Sequence, residues 1–101
     1  MIKNNSPLSL EFKIACEIYR CKKKGKLATS NEIANVFNLF GYDDEVIERA
    51  IDTLFDWSLL TCGYDKLTKL TSYMIEGSAI PTFKDLYKRY WKEERKELFL
   101  R

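Results

Sequence analysis

Apolar residues return every three or four positions through most of this chain, and the rhythm changes only once. Leu10, Ile14, Ile18 and Cys21 form one stripe, and Leu8, Phe12, Ala15 and Tyr19 form another. This pattern predicts a helix over about residues 7–24 that is apolar on two sides and needs two partners. Ser6 as a cap with Pro7 in the first turn marks its start, and Gly25 marks its end.

Lys26-Leu27-Ala28 reads as a short extended piece. Thr29-Ser30-Asn31-Glu32 has the form of a capping box, Thr29 bonding forward and Glu32 reaching back. It opens a second helix over about 30–39, with the stripe Ile33, Val36, Phe37 and Phe40 and with Gly41 as its left-handed terminus. Asp43 is placed to cap a third helix, about 44–57, in which Ile47, Ala50, Ile51, Leu54 and Phe55 repeat at three and four. The turn between these helices is only a few residues long.

After Trp57-Ser58 the period shortens. Leu59-Leu60-Thr61-Cys62-Gly63-Tyr64 is apolar and flanked by turn residues, and Lys69, Thr71, Tyr73 and Ile75 alternate with their neighbours. Two strands are predicted in a hairpin of about residues 59–76, with Gly63 and Asp65-Lys66 supplying the turn. Ser78 and Pro81 then open a last helix, about 79–98, whose stripe is Phe83, Leu86, Tyr87, Tyr90, Trp91 and Leu98. With no repeat, linker or low-complexity tract, residues 1–101 read as a single domain, mainly α with a small β-hairpin and extended N- and C-terminal helices.

Helix, short strand, helix, tight turn, helix, hairpin and terminal helix is the order of a winged helix-turn-helix domain. Leu27-Ala28-Thr29-Ser30-Asn31-Glu32-Ile33-Ala34 resembles the entry of that superfamily into its second helix. Leu54-Phe55-Asp56-Trp57-Ser58-Leu59-Leu60 is similar to its passage from third helix to wing, and Ser72-Tyr73-Met74-Ile75-Glu76-Gly77 to its return strand. Over about residues 8–92 the chain looks like small archaeal winged-helix proteins of the transcription-regulator type. That resemblance implies a regulator that binds double-stranded DNA through its third helix and wing, and dimerises through its last helix. Ser58 departs from the pattern, which has glycine there, so the third helix is expected to end with some backbone strain.

Composition narrows the chemistry. Hydrophobic residues make up 46% and charged residues 32%, the balance of a folded globular chain and not of a disordered one. There is no histidine, and Cys16, Cys21 and Cys62 form no CxxC pair. A zinc site, a Cys/His nucleophile and a phosphate-binding glycine loop are therefore all lacking from the pattern; no enzyme and no cofactor is expected, and the thiols read as small buried hydrophobes. The apolar runs are too short to span a bilayer and Met1-Ile2-Lys3-Asn4-Asn5-Ser6-Pro7 is not a signal peptide, so a cytoplasmic protein without a membrane partner is expected.

Net charge is only +2, but it is unevenly spread. Arg20, Lys22, Lys23, Lys24 and Lys26 stand close together with no acid among them. Between Asp43 and Asp56 six acids face Arg49 alone, a net of −5. The polar face of the third helix would present Glu45, Glu48, Arg49, Asp52, Thr53 and Asp56, which a DNA backbone repels at close range. Two partners follow from this. For duplex DNA, the contact residues are Lys26, Thr29, Ser30, Asn31, Tyr42, Arg49, Lys66 and Lys69. For a protein partner, the contact is the acidic face itself, suited to a basic protein, or the C-terminal helix, used by an interaction module that does not bind DNA. A homodimer is expected, with Leu8, Phe12, Tyr19, Phe83, Tyr87, Tyr90 and Trp91 meeting partly within the chain and partly across the two-fold.

Overall fold

The computed structural model describes residues 7–100. In chain order the elements are α1 (Leu10–Lys23), β1 (Ala28–Thr29), α2 (Ser30–Leu39), α3 (Asp44–Asp56), β2 (Leu60–Asp65), β3 (Leu70–Ile75), α4 (Ile80–Leu86) and α5 (Lys92–Phe99). A 3₁₀ turn (Gly77–Ala79) leads into α4, and a π-helical turn (Tyr87–Trp91) joins α4 to α5. The strands form one antiparallel sheet in the order β1-β3-β2.

Helix α1 is the centre of the molecule. Ile14, Ala15, Cys16, Glu17, Ile18, Tyr19 and Cys21 are all buried, a nearly unbroken run that leaves almost no solvent face in its middle. Its cap is not the Ser6-Pro7 pair; Ser6 lies outside the described residues. Ser9 is the N-cap instead, its hydroxyl accepting from the Phe12 amide at 3.2 Å.

The first three helices end alike. In each, the residue after the cap takes a left-handed conformation: Gly25 at φ 72°, Gly41 at φ 94° and Ser58 at φ 58°. The amide of the next residue then returns to a carbonyl five positions back, Lys26 to Cys21, Tyr42 to Phe37 and Leu59 to Leu54. This is the Schellman closure, which satisfies carbonyls that the helix leaves without partners. Ser58 makes it with a Cβ that glycine would lack, so the strain expected at this position is present in the backbone.

At the start of α2 Thr29 accepts from the Glu32 amide at 3.1 Å, the forward half of the capping box; the Glu32 side chain makes no return bond. Asp43 holds the N-cap position of α3 but its side chain makes no cap hydrogen bond. The α2–α3 turn is tied by Asn38 instead, whose amide donates to the Tyr42 carbonyl at 2.8 Å and to Asp44 Oδ1 at 2.9 Å.

Gly63 is a strand residue paired with Ser72, not part of the hairpin turn. The turn is Lys66-Leu67-Thr68-Lys69. Asp65 closes it from both of its acceptors: Oδ1 takes the Leu67 amide at 2.9 Å and the carbonyl takes the Lys69 amide at 2.7 Å. The terminal helix is likewise not uniform. The π turn places Tyr87 and Trp91 on the inward side, where Tyr87 packs on Tyr19 and Trp91 stacks on Phe37 at 5.7 Å with ring planes 9° apart. Among the described residues no helix is long and apolar enough to cross a membrane.

Candidate nucleic-acid interface

The hairpin β2–β3 projects a lysine-bearing tip. Its sheet face that carries Leu60 and Ile75, both buried, also carries Cys62 and Tyr73, and Tyr73 meets Phe55 of α3 edge-on at 5.9 Å. The cleft between the hairpin and α3 is therefore walled by Tyr73 on one side. On the other side stand Glu48 and Asp52. Burial, with the Cys62 thiol and the Asp52 and Glu48 carboxylates nearby, pushes the Tyr73 hydroxyl above its usual range. Glu48 and Asp52 thus stand on the side of α3 whose Phe55 packs on Tyr73, beside the hairpin.

Arg49 does not offset them. It lines a shallow depression with Leu10, Glu11, Val46, Ala50 and Thr53, on the α1 side of α3, and its guanidinium pairs with Glu45 at 3.2 Å. The one cation of this helix and the wing lysines consequently serve different sides of the molecule. Tyr42, proposed from sequence to stand near the bases, packs its ring on Phe37 at 6.3 Å and is half-buried. Thr29 is occupied as the cap of α2, while Ser30 and Asn31 are exposed in its first turn.

Two pairs of lysines stand at opposite ends of the hairpin. Lys22 and Lys26 border an open groove of about 280 Å³ whose floor includes Ile18, Leu27, Ser72 and Met74, at the root of the hairpin. Lys66 and Lys69 are at its tip. Ala28 is opposite Tyr73, four residues from Lys69, so root and tip are separated by about 13 Å or more along β3 at the usual rise of about 3.3 Å per residue. Lys23 is not part of either group, because its ammonium sits 5.6 Å from the centre of the Tyr87 ring.

The residues expected at a dimer interface are mostly turned inward. Leu8, Tyr19, Phe83, Tyr87 and Trp91 are buried within one chain, and Phe12 packs edge-on against Phe83 at 5.3 Å and Trp57 at 6.4 Å. The two apolar stripes cover each other, so this set leaves Tyr90, 36% exposed, and part of Phe12 for another surface. Among the exposed large hydrophobic residues, Leu39, Phe99 and Leu100 stand together beside a shallow hollow formed with Phe40 and Leu98.

Glu17 is a residue that the sequence reading does not single out. It has no solvent exposure, accepts from Trp91 Nε1 at 3.0 Å and Arg95 Nε at 2.8 Å through Oε1, and from Arg20 at 3.3 Å through Oε2. A lone glutamate in an apolar stripe was the available signal. Cys62 also differs from expectation: it is exposed, whereas Cys16 and Cys21 are buried. Among the described residues no group of three acids or thiols could hold a metal ion.

No described protein family matches the chain, and no curated sequence is detectably similar to it. Solved structures are. MepR of Staphylococcus aureus, a transcription regulator of the multidrug efflux pump MepA, superposes with a TM-score of 0.65 at 12% identity over 92% of this chain. A point mutant of ZitR from Lactococcus lactis superposes with a TM-score of 0.67 at 13% identity over 99% of it. The chain spans 64% of the length of each neighbour. At this identity the likeness establishes the fold, a mainly helical winged helix-turn-helix with a three-stranded antiparallel sheet; neither neighbour bears on the archaeal aspect of the sequence resemblance.

Proposed function

We propose that the protein is a DNA-binding winged-helix regulator that acts as a homodimer and contacts duplex DNA mainly through its wing. The observation that carries this reading is the hydrogen-bonded hairpin tip with Lys66 and Lys69, projecting from a fold that MepR, a transcription regulator, also has. Lys26, at the root of the same hairpin, and Ser30 and Asn31, in the exposed first turn of α2, add phosphate contacts. Thr29 supports them by capping α2, since helix N-termini favour anions. Arg49 and Tyr42 take a lesser part, Arg49 because of its place on α3 and Tyr42 because of its packing on Phe37. The acidic cleft makes this an interface in which the backbone is held at the wing and the major groove is read weakly.

Fluorescence anisotropy on a duplex of mixed sequence tests the reading. Binding at micromolar protein should weaken steeply with salt, and Lys66→Ala with Lys69→Ala should weaken it on every sequence, lowering the salt slope by about two. Absence of any salt-sensitive binding would overturn it. For the second copy, the uncovered residues Leu39, Tyr90, Phe99 and Leu100 are the contact surface, and light scattering at tens of micromolar should give twice the chain mass.

One observation favours a second reading. Glu48 and Asp52 line the cleft beside Tyr73, which suits a basic protein segment better than a polyanion. Binding of a lysine-rich peptide that is abolished by Glu48→Gln with Asp52→Asn, with no DNA binding, would select it.

A further inference from the structure

The tip of the wing carries a leucine where a turn gains nothing from one. Leu67 is 94% exposed, more than any other large hydrophobic residue among those described. Turn positions favour Gly, Asn, Asp, Ser and Pro, each for a conformational or hydrogen-bonding reason that leucine does not share. Its side chain leaves the fold no buried area, and its exposure costs solubility.

The turn that presents it is firmly held. The Leu67 amide is bound by Asp65 Oδ1, the Lys69 amide closes on the Asp65 carbonyl, and Lys69 takes a left-handed φ of 58°. That amide, first among its causes, holds the Asp65 carboxyl below its usual range, so the contact is made by the charged form. Leu67 is thus presented on a fixed backbone between two lysines. Tyr64 and Leu70, both exposed, belong to successive cross-strand pairs and so stand on opposite faces of the hairpin just behind it.

We propose, on the premise that the protein binds duplex DNA, that Leu67 is an apolar wedge which the wing inserts from the minor groove between two base pairs, kinking the duplex. The dimensions favour this division of labour. A minor groove about 6 Å wide does not admit a two-stranded ribbon whose backbones alone lie about 4.8 Å apart. It does admit one side chain from the tip. The ribbon stays outside with Lys66 and Lys69 against the two phosphate rims, and only leucine enters. Inserted apolar side chains part a base step and bend DNA toward the major groove, and pyrimidine–purine steps are the easiest to part. The bend also turns the duplex away from Glu48 and Asp52 of α3, which stand beside the wing and would repel it. Selectivity then comes from how readily a sequence deforms, not from base edges read by α3.

The test is a duplex of about 20 base pairs labelled at both ends for energy transfer, with a central TA step in one version and a stiff A-tract in the other. The wild-type protein should shorten the end-to-end distance of the TA duplex and bind it more tightly than the A-tract. Leu67→Ala should keep salt-sensitive binding, lose the bend and lose the preference between the two duplexes; Leu67→Met should keep all three. Because the residue is exposed, circular dichroism should show each variant folded. A bend undiminished in Leu67→Ala, or wild-type binding without a bend, overturns the wedge while leaving DNA binding in place. No salt-sensitive binding to either duplex overturns the DNA reading and the wedge with it.

Discussion

The indole N–H of Trp91 donates to a Glu17 carboxylate that is closed off from water, 3.0 Å away and 74 positions earlier in the chain. Arg95 reaches the same oxygen from the next turn of the terminal helix, so a single side chain of α1 fixes the pitch and rotation of that helix. A carboxylate in such a site is tolerable only because both of its oxygens have donors, two of them from arginines. Glu17→Ala should therefore destabilise the protein by about 3 kcal/mol, near the lower end for breaking a buried pair, because Arg20 and Arg95 can still turn part way to water. Glu17→Gln keeps the Trp91 bond and should cost less than half as much. Urea denaturation of the two variants compares them, and a loss below about 1 kcal/mol for Glu17→Ala would contradict the network's role.

Ser58 holds the left-handed position that Gly25 and Gly41 hold in the two preceding helices. A side chain there costs about 1–2 kcal/mol, partly offset by the extra freedom glycine has when unfolded. Ser58→Gly should stabilise the protein by about 0.5–1 kcal/mol, and Gly41→Ala should destabilise it by a similar amount. Thermal midpoints that move in the same direction for both variants would refute the assignment.

The wing turn has a pH signature. The Leu67 amide holds the Asp65 carboxyl below its ordinary value of 3.8, so the group binds its proton less readily folded than unfolded. Its contribution to stability is complete above the unfolded value and is lost as pH falls below 3.8 through the lower folded value. The Leu67 amide resonance should follow that titration in an NMR series from pH 6 downward, and Asp65→Asn should abolish it.

Thiol labelling should divide the cysteines. Cys62 is exposed, while burial, with Glu17 and Glu94 adding to it, pushes the Cys16 thiol up to about 12, and burial raises Cys21 as well. One equivalent of an aqueous thiol reagent should react with the native protein and the other two only in denaturant; Cys62→Ser should leave the native protein inert.

The acids of α3 supply a prediction of opposite sign from most interface mutations. A unit charge about 10 Å from a phosphate in water is worth about 0.4 kcal/mol. Glu48→Gln with Asp52→Asn should therefore tighten DNA binding by about fourfold at low salt, with the gain shrinking as salt rises. Unchanged affinity would place the duplex away from the cleft between α3 and the wing.

The elements that could be read in the sequence were those with local causes. Gly41 at a helix end, Thr29 three residues before Glu32, and the change of period after Trp57 each depend on residues close in the chain. Lys66 falls in the turn that the sequence predicts and Asp65 closes it from the end of β2, whereas Gly63, which looks like a break in an apolar run, is a strand residue. The remaining differences are long-range. Phe83, Tyr87 and Trp91 looked like more apolar surface than one chain could use because α1 did not reveal that it is buried nearly all round. The π turn that aligns Trp91 with both Glu17 and Phe37 has no local signature. In the candidate interface, Lys66 and Lys69 were legible as a hairpin tip; that Arg49 points to the α1 side and Glu48 and Asp52 to the wing depends on how α3 is rotated, which its charges alone do not set.

Helix α1 has neighbours of different kinds at nearly every turn: aromatic rings at Phe12 and Tyr19, a charge network at Glu17, and the sheet at Ile18. No single rotation or slide of the helix satisfies them all again. A saturation screen should accordingly find α1 the segment least able to change, with drift confined to its exposed ends. The spacing of Ile14, Ala15, Glu17, Ile18 and Cys21, taken together with Trp91, is then the part of this sequence that distant kin are most constrained to keep, and the best probe for finding them.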